Sequence, residues 1–144
     1  MSGNIASDRK LAAQAADVLR RPRGLPWAIA TLMLLAGFGV SFASSAETLA
    51  MSALALLAGA VAAYSTARAR YDAVVFRDWA AADDLRGEVA RFDARWSRTT
   101  PERSRPMAER VIGALRWKQR SLVATGAQGC FVAAGLWPLR HLLD

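Results

Sequence analysis

The chain is poor in the residues that carry chemistry. Its 144 residues include one cysteine, Cys130, and one histidine, His141. A single cysteine excludes an internal disulfide, and one cysteine with one histidine excludes a Cys/His zinc site. There is no Gly-rich phosphate loop, no C-x-x-C and no H-x-x-x-H. The nearest approach to a cation site is Asp83-Asp84 with Glu88 one turn on; a solvated helix carrying Arg86 and Arg91 accounts for these carboxylates equally well. The expectation is a protein that is not an enzyme and has no metal or cofactor. Charge is missing too from two long stretches, residues 26–43 and 48–66, which only Ser44-Ser45-Ala46-Glu47 separates. Neither contains the ionisable side chains that proton relays and ion pathways place inside membranes.

What is present follows from those absences. Each uncharged stretch approaches the roughly 20 residues a helix needs to cross a ~30 Å hydrocarbon core. Hydrophobic residues make up 53% of the chain and charged ones 22%, so apolar spans are segregated from a water-facing part. The net charge is +7. Five Lys/Arg precede the first stretch (Arg9, Lys10, Arg20, Arg21, Arg23), none lies in the 44–47 loop, thirteen fall in residues 68–120, and Arg140 follows. That asymmetry predicts a hairpin with both ends cytoplasmic and Glu47 on the opposite face. The basic flanks then set topology and attract anionic lipid headgroups. No nucleic-acid motif accompanies the charge, so no nucleic-acid partner is expected. A cleaved signal sequence ending near Ser44-Ser45-Ala46 is the rival reading of the first stretch, opposed by its length and its long basic lead.

Along the chain the pattern predicts an all-α integral membrane protein. Residues 1–24 form a basic amphipathic segment capped at Ser7-Asp8, with Leu11, Ala15, Val18 and Leu19 on one face. Residues 25–66 form the transmembrane hairpin, with Pro26 in the first turn of its first helix and Trp27 and Tyr64 at the boundaries. Its helix-packing candidates are the small residues Gly37 and Ser41 on the first span and the ladder Ala55, Gly59 and Ala63 on the second. No Pro or Gly interrupts residues 60–86, so the second span is expected to continue into the cytoplasm as one long helix. On it Tyr71, Val75, Trp79, Ala82, Leu85, Val89, Phe92 and Trp96 recur every three or four residues and make one apolar stripe. Residues 67–120 then read as a cytoplasmic antiparallel helix pair. Met107, Val111 and Leu115 lie on the returning helix, and Asp78 and Asp93 are placed to pair with Arg110 or Arg116. Residues 121–144 hold a third transmembrane helix in the uncharged stretch 121–139, followed by a short tail; a re-entrant or packed helix is the alternative.

Residues 25–98 resemble the SLATT type of bacterial two-span domain. The likeness rests on the basic lead-in helix, the tight hairpin and the following helix with Tyr71, Phe76, Arg77, Trp79, Ala82, Leu85, Arg86, Glu88 and Phe92. It implies a membrane-disrupting effector of a nucleotide-signalled defence system. The third apolar stretch and the lack of a sensor domain depart from that pattern.

Function by association remains. The first expectation is an accessory or scaffold subunit of a bacterial inner-membrane complex, multi-pass with a cytoplasmic N-terminus. Tyr71, Val75, Trp79, Leu85, Val89, Phe92 and Trp96 would be its interaction residues, and a protein partner or a second copy would cover them. The alternatives are a self-assembling, holin-like permeabilising effector and an immunity-type membrane protein.

Overall fold

The computed structural model describes residues 4–21, 23–43, 45–96 and 105–137. Among them the chain forms five helices and no strand: α1 (Ile5–Arg20), α2 (Leu25–Ser41), α3 (Ala46–Ala81), α4 (Leu85–Trp96) and α5 (Met107–Leu136). Segments Ile5–Ser41 and Ala46–Ala81 are long and apolar enough to cross a membrane by length and composition. The chain divides into two compact units. A charged unit joins Met1–Arg21 to Arg68–Arg116, and an apolar unit joins Pro22–Ala67 to Trp117–Asp144.

Local chemistry sets the helix ends. Asn4 caps α1 by accepting a hydrogen bond from the Ala6 N–H at 3.1 Å. The cap is therefore Asn4 rather than Ser7-Asp8, and Asp8 falls in the first turn, where the helix dipole favours a carboxylate. The buried face of α1 is Ala12, Ala15, Ala16 and Leu19, while Val18 is exposed. Pro26 occupies the first turn of α2 as expected. Ser45 caps α3, its Oγ accepting from the Thr48 N–H at 3.2 Å.

Two expectations about helix length are corrected. The long helix does not run to Trp96: α3 ends at Ala81 and α4 begins at Leu85. No Pro or Gly marks this turn, because an aspartate starts the new helix instead. The Asp84 carboxylate accepts the Gly87 N–H at 2.9 Å, satisfying an orphan donor at the N-terminus of α4. A side chain at Gly87 would collide with that carboxylate. Conversely, the return helix and the third apolar stretch are one element. Helix α5 runs unbroken for 30 residues, about 45 Å, because nothing between Met107 and Leu136 breaks it.

In the apolar unit α2, α3 and α5 meet in layers. A Cβ built at Gly39 would stand 2.5 Å from Ser52 Oγ, and one at Gly135 would stand 3.4 Å from the same atom. Ala36, Ala55 and Val132 pack together one layer further on. Next comes Gly59, where a Cβ would lie 2.5 Å from Gln128 Nε2 and 2.8 Å from Met33 Cγ. The Thr66 and Ser121 hydroxyls are hydrogen-bonded beyond that. Steps of seven from Ser52 to Gly59 to Thr66 on α3 are matched by steps of seven back along α5, from Gly135 to Gln128 to Ser121. This is antiparallel heptad packing over small residues.

Candidate functional sites

In the charged unit the apolar stripe folds onto itself because the chain turns at residues 82–84. Trp79 is buried and meets Phe76 and Phe92 edge to face, with ring centroids 5.4 and 5.3 Å apart. Edge-to-face contacts place the positive ring edge on the negative face. Leu85 is buried as well. Leu85 and most of Trp79 are therefore taken up by packing within the unit. Val75, Val89 and Phe92 are half-buried and Tyr71 is exposed. The side chain of Trp96 lies outside the described residues.

Arg110 ties α5 to this cluster. Its Nη1 donates to Asp93 Oδ1 at 2.8 Å, Nη2 to Asp93 Oδ2 at 2.5 Å, and Nε to the Arg105 carbonyl at 3.0 Å. The guanidinium carbon also sits 5.6 Å from the centre of the Trp79 ring. A two-pronged pair of this kind, largely withdrawn from water, contributes on the order of 2 kcal/mol. The expected Asp93–Arg110 pairing is thus formed, whereas Asp78 pairs with its neighbour Arg77.

Arg9, on α1, makes the other long-range tie. Its Nη2 donates to the carbonyls of Ala82 at 2.6 Å and Asp83 at 2.7 Å. These carbonyls lie just past the C-terminus of α3, where a helix dipole favours a cation. This clasp was not foreseen from sequence, since it joins positions 73 and 74 residues apart. Asp84 is engaged as a helix cap and Glu88 pairs with Arg91 at 2.7 Å. Among the described residues no group of three or more His, Cys, Asp or Glu side chains is placed to hold a metal.

Between the end of α3 and α4 lies a cleft of about 810 Å³. Val75, Trp79 and Phe92 line its apolar part. Tyr71, Asp78, Glu88, Arg91 and Arg95 supply a polar lining of mixed charge.

The apolar unit inverts the usual distribution of side-chain sizes. Its buried positions are mostly small or polar: Thr48, Ser52, Ala55, Gly59, Ala62, Ser65, Thr66, Ser121 and Gln128. Its exposed positions include Trp27, Leu34, Phe38, Phe42, Leu57, Val61, Tyr64 and Val123. Of the expected packing residues, Ala55 and Gly59 lie in the seam. Gly37, Ser41 and Ala63 do not. A Cβ at Gly37 would meet nothing within 4 Å, and Ser41 and Ala63 are exposed. The inward ladder on α3 advances by alternating steps of four and three, from Thr48 through Ser52, Ala55, Gly59 and Ala62 to Thr66. A strict four-residue ladder misses it, because 3.5 residues per repeat keep a seam facing its partner. Gln128 is fully buried, and neither its amide oxygen nor its nitrogen has a hydrogen-bond partner. Cys130 is exposed.

Comparison with protein-family models, with curated proteins and with solved structures finds no match to this chain.

Proposed function

We propose that this chain is a small, non-enzymatic protein of the bacterial inner membrane, an accessory or scaffold subunit that works by helix association. In this reading the apolar unit lies in the bilayer. α2 and the first part of α3 form the hairpin, and the uncharged part of α5 makes the third crossing. The N-terminus and the charged unit are cytoplasmic. One observation carries the reading: large apolar side chains point outward from a body whose interior is small and polar. In water so many exposed Leu, Phe and Val would drive aggregation. In lipid, where apolar burial between helices gains little, close approach over Gly, Ala and Ser is what holds helices together. The Lys/Arg distribution supplies the orientation.

The Tyr71–Val75–Phe92 cleft would then receive the partner. Val75→Arg and Tyr71→Ala, compared with wild type after cross-linking in native membranes, test this. The expected result is loss of a cross-linked partner with the membrane level unchanged. An unaltered cross-linking pattern would contradict it.

The outward small residues Gly37, Ser41 and Ala63 favour a second reading, in which copies of the chain pack on one another and permeabilise the membrane, as the SLATT resemblance implies. It predicts that expression depolarises cells, and that Gly37→Leu with Ala63→Leu abolishes both depolarisation and the homo-oligomer seen by native mass spectrometry. Undisturbed potential in expressing cells would count against it.

A further inference from the structure

The end of the apolar unit that holds Tyr64 carries a cluster that helix packing does not require. The Trp117 ring meets Tyr64 edge to face, with centroids 5.8 Å apart and planes at 80°. The guanidinium carbon of Arg120 lies 4.9 Å from the centre of the same Trp117 ring. Arg120 and Tyr64 are both exposed. Among the described residues no carboxylate pairs with Arg120. The only acidic side chain described in this unit is Glu47, in the first turn of α3. It lies about 25 Å from Tyr64 along the helix axis at 1.5 Å per residue.

The cluster sits at a chemical boundary. Tyr64 is near the end of the uncharged run of α3, and Arg120 immediately precedes the uncharged run of α5. A guanidinium resting on an indole is held in one orientation, which leaves its N–H edge to fork two oxygens of a phosphate. The tyrosine hydroxyl adds a donor and sits where aromatic side chains meet headgroups. Asp72, eight residues beyond Tyr64 on α3, is engaged by Arg68, and the Trp117 face that would attract a choline or ethanolamine ammonium is occupied by Arg120.

The geometry points to a binding site for the phosphodiester of an anionic phospholipid, formed by Arg120, Trp117 and Tyr64. This rests on the reading that the apolar unit lies in the bilayer. The test reconstitutes the full chain in nanodiscs of phosphatidylcholine and phosphatidylglycerol in equal parts, then counts the lipids retained on release by native mass spectrometry. The wild type is expected to retain phosphatidylglycerol in preference to phosphatidylcholine. Arg120→Gln and Trp117→Leu should each lower that retention several-fold. Arg120→Lys should also fall short, because an ammonium lacks the fork, and Arg77→Gln in the charged unit should match the wild type. Equal retention of the two lipids, or no change in Arg120→Gln, would overturn the site. Displacement of the lipid by added inorganic phosphate would overturn it in favour of a free-anion site. A chain that incorporates into nanodiscs yet shows no preference refutes the site alone, whereas failure to incorporate at all refutes the bilayer reading beneath it.

Discussion

At the scale of single residues, Gln128 occupies a costly position. Its amide is fully buried against Gly59 with both polar atoms unpartnered. An unpaired buried donor or acceptor costs about 1–3 kcal/mol. Gln128→Met keeps the length of the side chain and removes the polar atoms. It is expected to raise the thermal unfolding midpoint in detergent, by the equivalent of about 1–3 kcal/mol. A lowered midpoint would mean that the amide is satisfied in the assembled protein. Asp72, six residues beyond the apolar run of α3, is perturbed in another way. Burial raises its pKa, and Arg68, 3.5 Å away, offsets this only in part. An acid whose folded pKa exceeds the unfolded value adds stability at low pH, which is lost as pH rises through the folded pKa. Asp72→Asn should therefore stabilise the charged unit at neutral pH, and the gain should vanish near the carboxylate range. A gain that persisted at acid pH would refute this account of Asp72.

At the scale of elements, the turn at residues 82–84 organises the charged unit. Asp84 starts α4, and Arg9 donates to the Ala82 and Asp83 carbonyls just past the end of α3. Asp84→Ala should cost about 1 kcal/mol, the usual value of an N-cap. Arg9→Ala should raise hydrogen exchange in α1 while leaving α5 protected, and uniform exchange across both would show that the clasp holds nothing. In the apolar unit, Gly59→Leu should disrupt packing at a cost of about 1–3 kcal/mol or more. Gly37→Leu should leave the fold intact, since its Cβ position is open. These elements also show what was legible in the sequence. The apolar runs, the first-turn position of Pro26 and the Asp93–Arg110 pair follow from composition, φ restriction and charge spacing. The turn after Ala81 was hidden, because reading helix ends from Pro and Gly alone passes over an aspartate cap. The seam was hidden because Ala, Gly, Ser and Thr contrast little in hydropathy with the Leu and Val around them, so their 3.5-residue period carries no amphipathic signal. One straight helix would leave Trp79 and Leu85 on an open stripe; the turn between α3 and α4 is what buries them.

At the scale of the whole molecule, two kinds of surface follow from one composition. Mostly small and polar side chains fill the interior of the apolar unit and leave Leu34, Leu57 and Val123 outside, while the charged unit buries Phe76 and Trp79. The central claim is that lipid covers that apolar exterior. Spin labels placed at positions 34, 57 and 123, one at a time, in the reconstituted protein test it most directly by collision with molecular oxygen and with a water-soluble nickel chelate. The account predicts high oxygen and low nickel accessibility at all three positions. Ready collision with nickel at these sites would place them in water and contradict it.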